Sequence, residues 1–290
     1  MISHIAIFVV VLVLSGVPSN EAVSSAVPSW HPHAKARAKP SEEAFTPAST
    51  SISTSSGRTS ISTTQLVGVL MGEDTTMDIQ EAARIHNANV KNPGGGCSAK
   101  GGKVFNFGLP RTGTLSLTDV TKQIGFANNC HQITDWQWKD VQEFNLDVER
   151  GDSIVDAVEK CDAMSDIPTY GMWRSLAKAY PTARLILTTR GVEEWLSSTQ
   201  KLLNFWAPRL RADYGDFHAW YFGNGTWERE PYRANFRKHH QEILEALGDR
   251  VLVLASEMSD EEKVSSFLQF MGCKVKTPIT FATKPVGKKA

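Results

Sequence analysis

Lys103-Val-Phe-Asn-Phe-Gly-Leu-Pro-Arg-Thr-Gly-Thr-Leu-Ser-Leu117 is the stretch from which the fold is read. Lys103 to Phe107 is a short apolar run, with Val104, Phe105 and Phe107 around one Asn. That composition suits a buried parallel strand. Gly108 to Gly113 is a loop with Gly at both ends and Pro110-Arg111 between them. From Thr114 onward, Leu115, Leu117, Val120 and Ile124 recur at helical spacing, and Gly125 marks the stop.

A strand turning tightly into a helix aims backbone N–H groups at the space above the helix start. The helix dipole adds roughly half a positive charge there. Glycine lets the backbone approach an anion with no Cβ in the way. The ligand expected from this arrangement is a phosphate or sulfate group. A nucleotide triphosphatase loop reads G-x-x-x-x-G-K-[ST], with Lys directly after the second Gly. Here Gly108 and Gly113 keep that spacing, but Thr114 follows and the cation sits inside the loop at Arg111. A kinase or nucleotide hydrolase is therefore the lesser reading.

A second turn repeats the pattern further along. Ala183 to Thr189 is a strong strand after the helix-stopping Pro181, and Arg190-Gly191 ends it. Val192 to Leu203 continues as a helix, with Ser198 eight residues after Arg190. An Arg gives planar charge-assisted donors to a phosphate, and a hydroxyl adds one more. The run Thr169 to Tyr180 reads as a helix, as do Trp136 to Arg150, Ser153 to Lys160, Pro231 to Leu247 and Glu261 to Met271. Arg250 to Ala255 reads as a strand. Strands alternating with helices predict an α/β fold built on a parallel sheet. Ligands of such sheets lie beyond the carboxyl ends of the strands, where Arg111 and Arg190 both fall.

The loop G-L-P-R-T-G-T-L-S-L resembles the 5'-phosphosulfate loop of P-loop sulfotransferases, in the branch where Arg replaces the more usual Lys. Leu187-Thr-Thr-Arg-Gly-Val-Glu-Glu-Trp-Leu-Ser-Ser198 resembles that family's 3'-phosphate element. The likeness runs from about Val104 to about Gly272 and includes Tyr180-Pro-Thr-Ala-Arg-Leu-Ile-Leu187 and Phe267-Leu-Gln-Phe-Met-Gly272. It implies the sulfotransferase fold, a P-loop NTPase-like parallel sheet with helices on both faces, with 3'-phosphoadenosine 5'-phosphosulfate as co-substrate and no metal. It implies donor contacts from Gly108, Pro110, Arg111, Thr112, Gly113, Thr114 and Leu115 on the 5' side, and from Arg190 and Ser198 on the 3' side. Arg111 takes an electrostatic role, because a guanidinium is too weak an acid to hand over a proton. The aromatic residue that many relatives stack on adenine is replaced here by Ser116 and Leu117. Phe126 to Ile133 reads as a short strand or loop near the sheet's carboxyl edge, and His131 in it is the first candidate for the general base, with Asp135 and Asp166 in reserve.

The remaining chain frames this domain. Lys+Arg and Asp+Glu both number 31 in 290 residues, which does not suit a bulk nucleic-acid binder. Residues 1–26 hold an apolar run from Ile5 to Leu14, the length of a signal-peptide core and short of a spanning helix. With no Lys or Arg among the first four residues, a short membrane anchor is the alternative. Residues 27–100 read as a disordered Ser/Thr/Pro-rich stem and linker, with mild helical character from Gln65 to Val90; 12 of the 17 residues from Ala48 to Thr64 are Ser or Thr. Basic residues at 35, 37, 39 and 58 allow an organellar transit reading beside the secretory one. Residues 101–283 form the catalytic domain and 284–290 a basic tail. The four cysteines allow two disulfides in any of three pairings. Phe205 to Trp227 is aromatic, and Trp206, Tyr214, Trp220 and Tyr221 are candidate walls for a small-molecule, lipid or glycan acceptor. Asn224-Gly-Thr226 is a glycosylation sequon, relevant in a secretory lumen. A catalytically silent nucleotide- or glycan-binding protein is the alternative from outside enzymology.

Overall fold

A computed structural model describes residues 60–93, 96–97, 102–131, 156–206 and 227–281. Its centre is a parallel sheet of β1 (Val104–Asn106), β2 (Asn129–His131), β3 (Ala163–Ser165), β4 (Arg184–Thr189) and β5 (Val251–Ala255). The order across the sheet is β2-β3-β1-β4-β5. Phe105 of β1 pairs with Met164 on one side and Leu185 on the other. The chain leaves β1 for β2 and β3 on one flank and then crosses to β4 and β5 on the other. That reversal opens a crevice at the carboxyl end of β1.

The strands are apolar on both faces, and their two-residue period splits the core in two. Phe105, Leu185, Leu187, Val251 and Val253 face one cluster. Val104, Ile186, Leu252 and Leu254 face the other. The first cluster is covered by α1 (Thr63–Leu70), α2 (Ile79–Asn87), α5 (Trp173–Ala179), α6 (Val192–Trp206) and α7 (Arg229–Leu247). The second is covered by α3 (Thr114–Gln123) and α8 (Asp260–Met271). Burying one such side chain contributes about 1.5–3 kcal/mol. A short α4 (Asp156–Glu159) precedes β3, and a 3-10 turn (Thr169–Met172) leads into α5. Lys103 holds the end of α4 by donating from Nζ to the carbonyls of Val158, Glu159 and Cys161.

Over residues 60–93 the structure replaces a disordered stem with ordered helix, in line with the mild helical character read from Gln65 to Val90. Two helices form there and pack on the core, with Leu66, Leu70, Ala82 and Ala83 fully buried. Ser62 caps α1 in a reciprocal box with Gln65, and Asp78 caps α2. The Ser/Thr-rich composition hid the boundary, although S-x-x-Q before an apolar run is a readable helix start. On α2, Asn87 exchanges two hydrogen bonds with Val253, Nδ2 to O at 2.7 Å and N to Oδ1 at 2.9 Å. His86 Nε2 donates to the Val251 carbonyl at 2.9 Å. Arg84 ion-pairs with Glu262 of α8.

The cysteine pairing is now assigned. Cys130 of β2 joins Cys161 before β3, and Cys97 joins Cys273 after α8. The expected signal segment, most of the expected stem, the helix predicted at 136–150 and the basic tail lie outside the described residues.

Candidate active site

The first turn is built by β1 and β4 together. Asn106 at the end of β1 accepts the Gly108 N–H at 3.0 Å and the Thr188 N–H at 3.1 Å on Oδ1. Its Nδ2 donates to Thr188 Oγ1 at 3.1 Å. One side chain thereby ties the loop to the neighbouring strand. Gly108 is required by this closeness: an added Cβ would lie 2.0 Å from Thr188 Oγ1 and 2.5 Å from the Thr188 carbonyl oxygen. Trp195 Nε1 donates to the Pro110 carbonyl at 2.9 Å, so the loop also leans on α6. Thr112 serves the loop itself, since both its N–H and its hydroxyl donate to the Leu109 carbonyl. Gly113 adopts φ 100° and caps α3 with no side-chain hydrogen bond. The first N–H groups of α3 thus have no competing side-chain acceptor at the cap.

The second turn meets the first across the crevice. Arg111, with a left-handed backbone at φ 73°, donates from Nε to Ser198 Oγ on α6 at 3.0 Å. Burial pushes the Arg111 guanidinium below its ordinary pKa, and the Arg190 charge pushes it the same way, against a smaller opposite pull from Asp166. Arg190 therefore lies near enough to the partly buried Arg111 guanidinium for their charges to repel. Arg190 Nε is buried with no hydrogen-bond partner among the described residues. Gly191 behind it donates its N–H to Glu257 Oε1 at 2.8 Å.

His131 lies on the β2–β3 side of the same edge. Its Nδ1 is 2.9 Å from Ser165 Oγ and 3.3 Å from Thr118 Oγ1. Its Nε2 is 3.8 Å from Asp166 Oδ2. Burial lowers the His131 pKa first, and Asp166 opposes that. Asp166 is itself buried at φ 66°, a conformation its own carboxylate supports by accepting the Ile167 N–H at 2.9 Å. Its Oδ2 accepts the Thr114 hydroxyl at 2.9 Å. Thr114 thus spends its hydroxyl proton on Asp166, which leaves the backbone N–H as its donor toward an anion.

The chain matches the family described as the sulfotransferase domain over residues 103–278. It belongs to that family. A curated fungal protein, "Ava biosynthesis cluster protein M" of Aspergillus versicolor, is 32% identical to it over 111 residues. That match covers 35% of this chain and 43% of the fungal protein, so the chain spans less than half of that relative. Family and fold together make residues 103–278 a sulfotransferase-type domain.

In this family domain the structure brings Gly108, Arg111, Gly113, Thr114, Arg190, Ser198 and His131 to one edge of the sheet. Leu115 is half exposed at the start of α3. Of the acceptor candidates, Tyr214, Trp220 and Tyr221 and the sequon at Asn224 lie outside the described residues, as does the reserve base Asp135. Trp206 closes α6, and its side chain is likewise outside them. Four features escaped the sequence reading. The Thr114–Asp166 bond and the Ser165–His131 contact join residues 34 to 52 positions apart. Asn106 reads as an ordinary strand residue. His239 and His240 of α7 sit in a helical pattern that gives no sign of what they touch.

Proposed function

We propose that the domain transfers a sulfuryl group from 3'-phosphoadenosine 5'-phosphosulfate to a hydroxyl or amine of a small-molecule, lipid or glycan acceptor. The observation that carries this reading is the closeness of Arg111 and Arg190, one on each crossover beside β1 and tied together through the Arg111–Ser198 bond. Arg190 adds to the burial that depresses Arg111, and an anion bridging both cations would relieve that repulsion. The buried Arg190 Nε, with no partner among the described residues, supports a ligand on that side. A donor charged at both ends of an adenosine fits this pair better than one with a single phosphate chain.

The donor supplies the sulfuryl group and a good leaving phosphate. Arg111 and the α3 N-terminus hold the charge that grows on the phosphate oxygen as the sulfur–oxygen bond opens. Ser198, which accepts from Arg111 Nε, keeps its own hydroxyl proton to offer the 3' side. His131 takes the acceptor's proton through Nε2. Its lowered pKa leaves the ring neutral, and therefore able to accept, near neutral pH. Asp166 then stabilises the imidazolium that forms.

Titration calorimetry with adenosine 3',5'-bisphosphate, beside ATP, tests the donor. Tight bisphosphate binding with weak ATP binding is expected. Preference for ATP would overturn the reading in favour of a kinase, and binding without turnover over a broad acceptor screen would favour a silent binder. We propose further that the chain matures in the secretory pathway. The two disulfides support an oxidising compartment. Denaturing alkylation of the cell-derived protein without reductant is expected to label no cysteine; four labelled thiols would reject this.

A further inference from the structure

Adjacent residues on α7 reach the two anion-binding turns separately. His239 Nε2 donates to the carbonyl of Phe107, the residue before Gly108, at 2.7 Å. His240 Nε2 is 2.8 Å from Oγ1 of Thr189, the residue before Arg190. Neighbours on a helix point about 100° apart, which lets consecutive rings diverge to β1 and β4. The roles of the ring nitrogens follow from the network. A carbonyl only accepts, so His239 carries its proton on Nε2. His240 Nδ1 faces the Phe236 carbonyl at 2.8 Å, so it holds the proton there, and its Nε2 accepts from the Thr189 hydroxyl.

Both rings are fully buried. They meet edge to face at 5.5 Å between centroids. Phe236 stacks on His240 at 4.0 Å, and Tyr170 meets His239 edge-on at 6.3 Å. Neither ring has room to turn, so each fixes the backbone it touches. We propose that His239 and His240 are positioning residues, His239 for the 5' turn and His240 for the 3' turn, and that their common helix sets the separation of Arg111 from Arg190. The proposal rests on the donor reading above. Histidines that merely fill the core would support both turns alike.

That difference is measurable on the full chain with adenosine 3'-phosphate, adenosine 5'-phosphate and the 3',5'-bisphosphate as calorimetric probes. Asn at either position is too short to reach the turn, whereas Gln keeps a polar group where the ring Nε2 lies. His240→Asn is expected to weaken adenosine 3'-phosphate about tenfold and leave adenosine 5'-phosphate within about twofold; His239→Asn should do the reverse. His239→Gln and His240→Gln should recover most of each loss. Equal weakening of both probes by either Asn variant, or no weakening at all, overturns the assignment. If the Asn variants do not fold, Thr189→Val decides for the 3' side. It removes the hydroxyl that His240 holds while keeping the side-chain shape. A selective loss of adenosine 3'-phosphate supports the proposal, and unchanged binding rejects it. Wild type failing to bind the bisphosphate would sink the donor reading and this assignment together. Wild type that binds with no end-selective split would sink this assignment alone.

Discussion

Arg111 and Ser198 are 87 residues apart in sequence, yet the guanidinium Nε of one donates to the hydroxyl of the other at 3.0 Å. That bond crosses from the loop after β1 to the helix after β4 and makes the two turns a single site. Losing it should be felt at both ends of a bound nucleotide. Ser198→Ala is expected to weaken adenosine 3',5'-bisphosphate about three- to tenfold, the worth of one hydrogen bond of about 0.5–1.5 kcal/mol. Calorimetry on the folded variant checks this.

The arginines themselves should matter more. Arg111→Ala and Arg190→Ala each remove charge-assisted donors worth about 1.5–3 kcal/mol, or about 10- to 100-fold in bisphosphate affinity. Each deletion also relieves the repulsion that depresses Arg111. The ligand-free thermal midpoint should therefore hold or rise while affinity falls. A fall in both would mean that the guanidinium groups are structural.

His131 and Asp166 should separate chemistry from binding. His131→Ala is expected to cut turnover about 100-fold or more, the usual range for a general base, with bisphosphate affinity nearly unchanged. Asp166→Ala leaves the Thr114 hydroxyl and the Ile167 N–H without their carboxylate and puts Ala in a left-handed conformation. It should cost about 2–4 kcal/mol of stability in denaturant titrations. Asp166→Asn keeps the shape and tolerates that backbone, so it should unfold later than the Ala variant while still turning over slowly. Undiminished turnover in His131→Ala would remove that residue from the reaction.

The buried histidines predict an acid limit. Burial pushes His239 down to about 3 and His240 down to about 4, from an ordinary value of 6.5. Above pH 6.5 both are neutral folded and unfolded, and their full contribution to stability is present. Below it the unfolded chain takes up protons that the folded chain refuses. Stability should then fall by about 1.4 kcal/mol per pH unit for each histidine, until the pH reaches about 4 to 3. Unfolding free energies measured from pH 7 to pH 4 check the slope. Substituting both histidines should flatten it.

Gly108→Ala tests the tightness of the first turn. The new Cβ would meet Thr188 backbone and side chain at 2.5 Å and 2.0 Å. Neither β1 nor β4 can retreat without breaking the Asn106 bonds. A loss of about 3 kcal/mol or more is expected in thermal or denaturant unfolding. Gly113→Ala has open space around its Cβ and pays only for its left-handed backbone, about 1–2 kcal/mol.

The parts of this site that were legible in the sequence are those set by short-range pattern. An apolar strand, two glycines five residues apart and a helical period locate Arg111, and a second strand with Arg at its tip locates Arg190. The network behind them was not legible, because sheet order decides it. Only when β3 lies beside both β1 and β2 does Ser165 come within reach of His131 and Asp166 within reach of Thr114. Residues 60–93 showed only mild helical character within an expected stem, for another reason. Their flank is so rich in Ser and Thr that composition spoke louder than the Ser62–Gln65 box and the buried Ala82 and Ala83. The helix of 229–247 was plain from its period, but a period cannot say which of its buried rings grips which turn.

The amide of Asn87 lies along β5 as a neighbouring strand would, giving and taking one bond at Val253, and His86 takes up Val251 beside it. A shortened protein beginning at residue 103, where the family match starts, would lose this cover. It would expose an unpaired, wholly apolar rim of backbone donors and acceptors, a template for stacking against its own copies. The smallest piece that stays dispersed in solution therefore starts near residue 60, some forty residues before the part shared with the family.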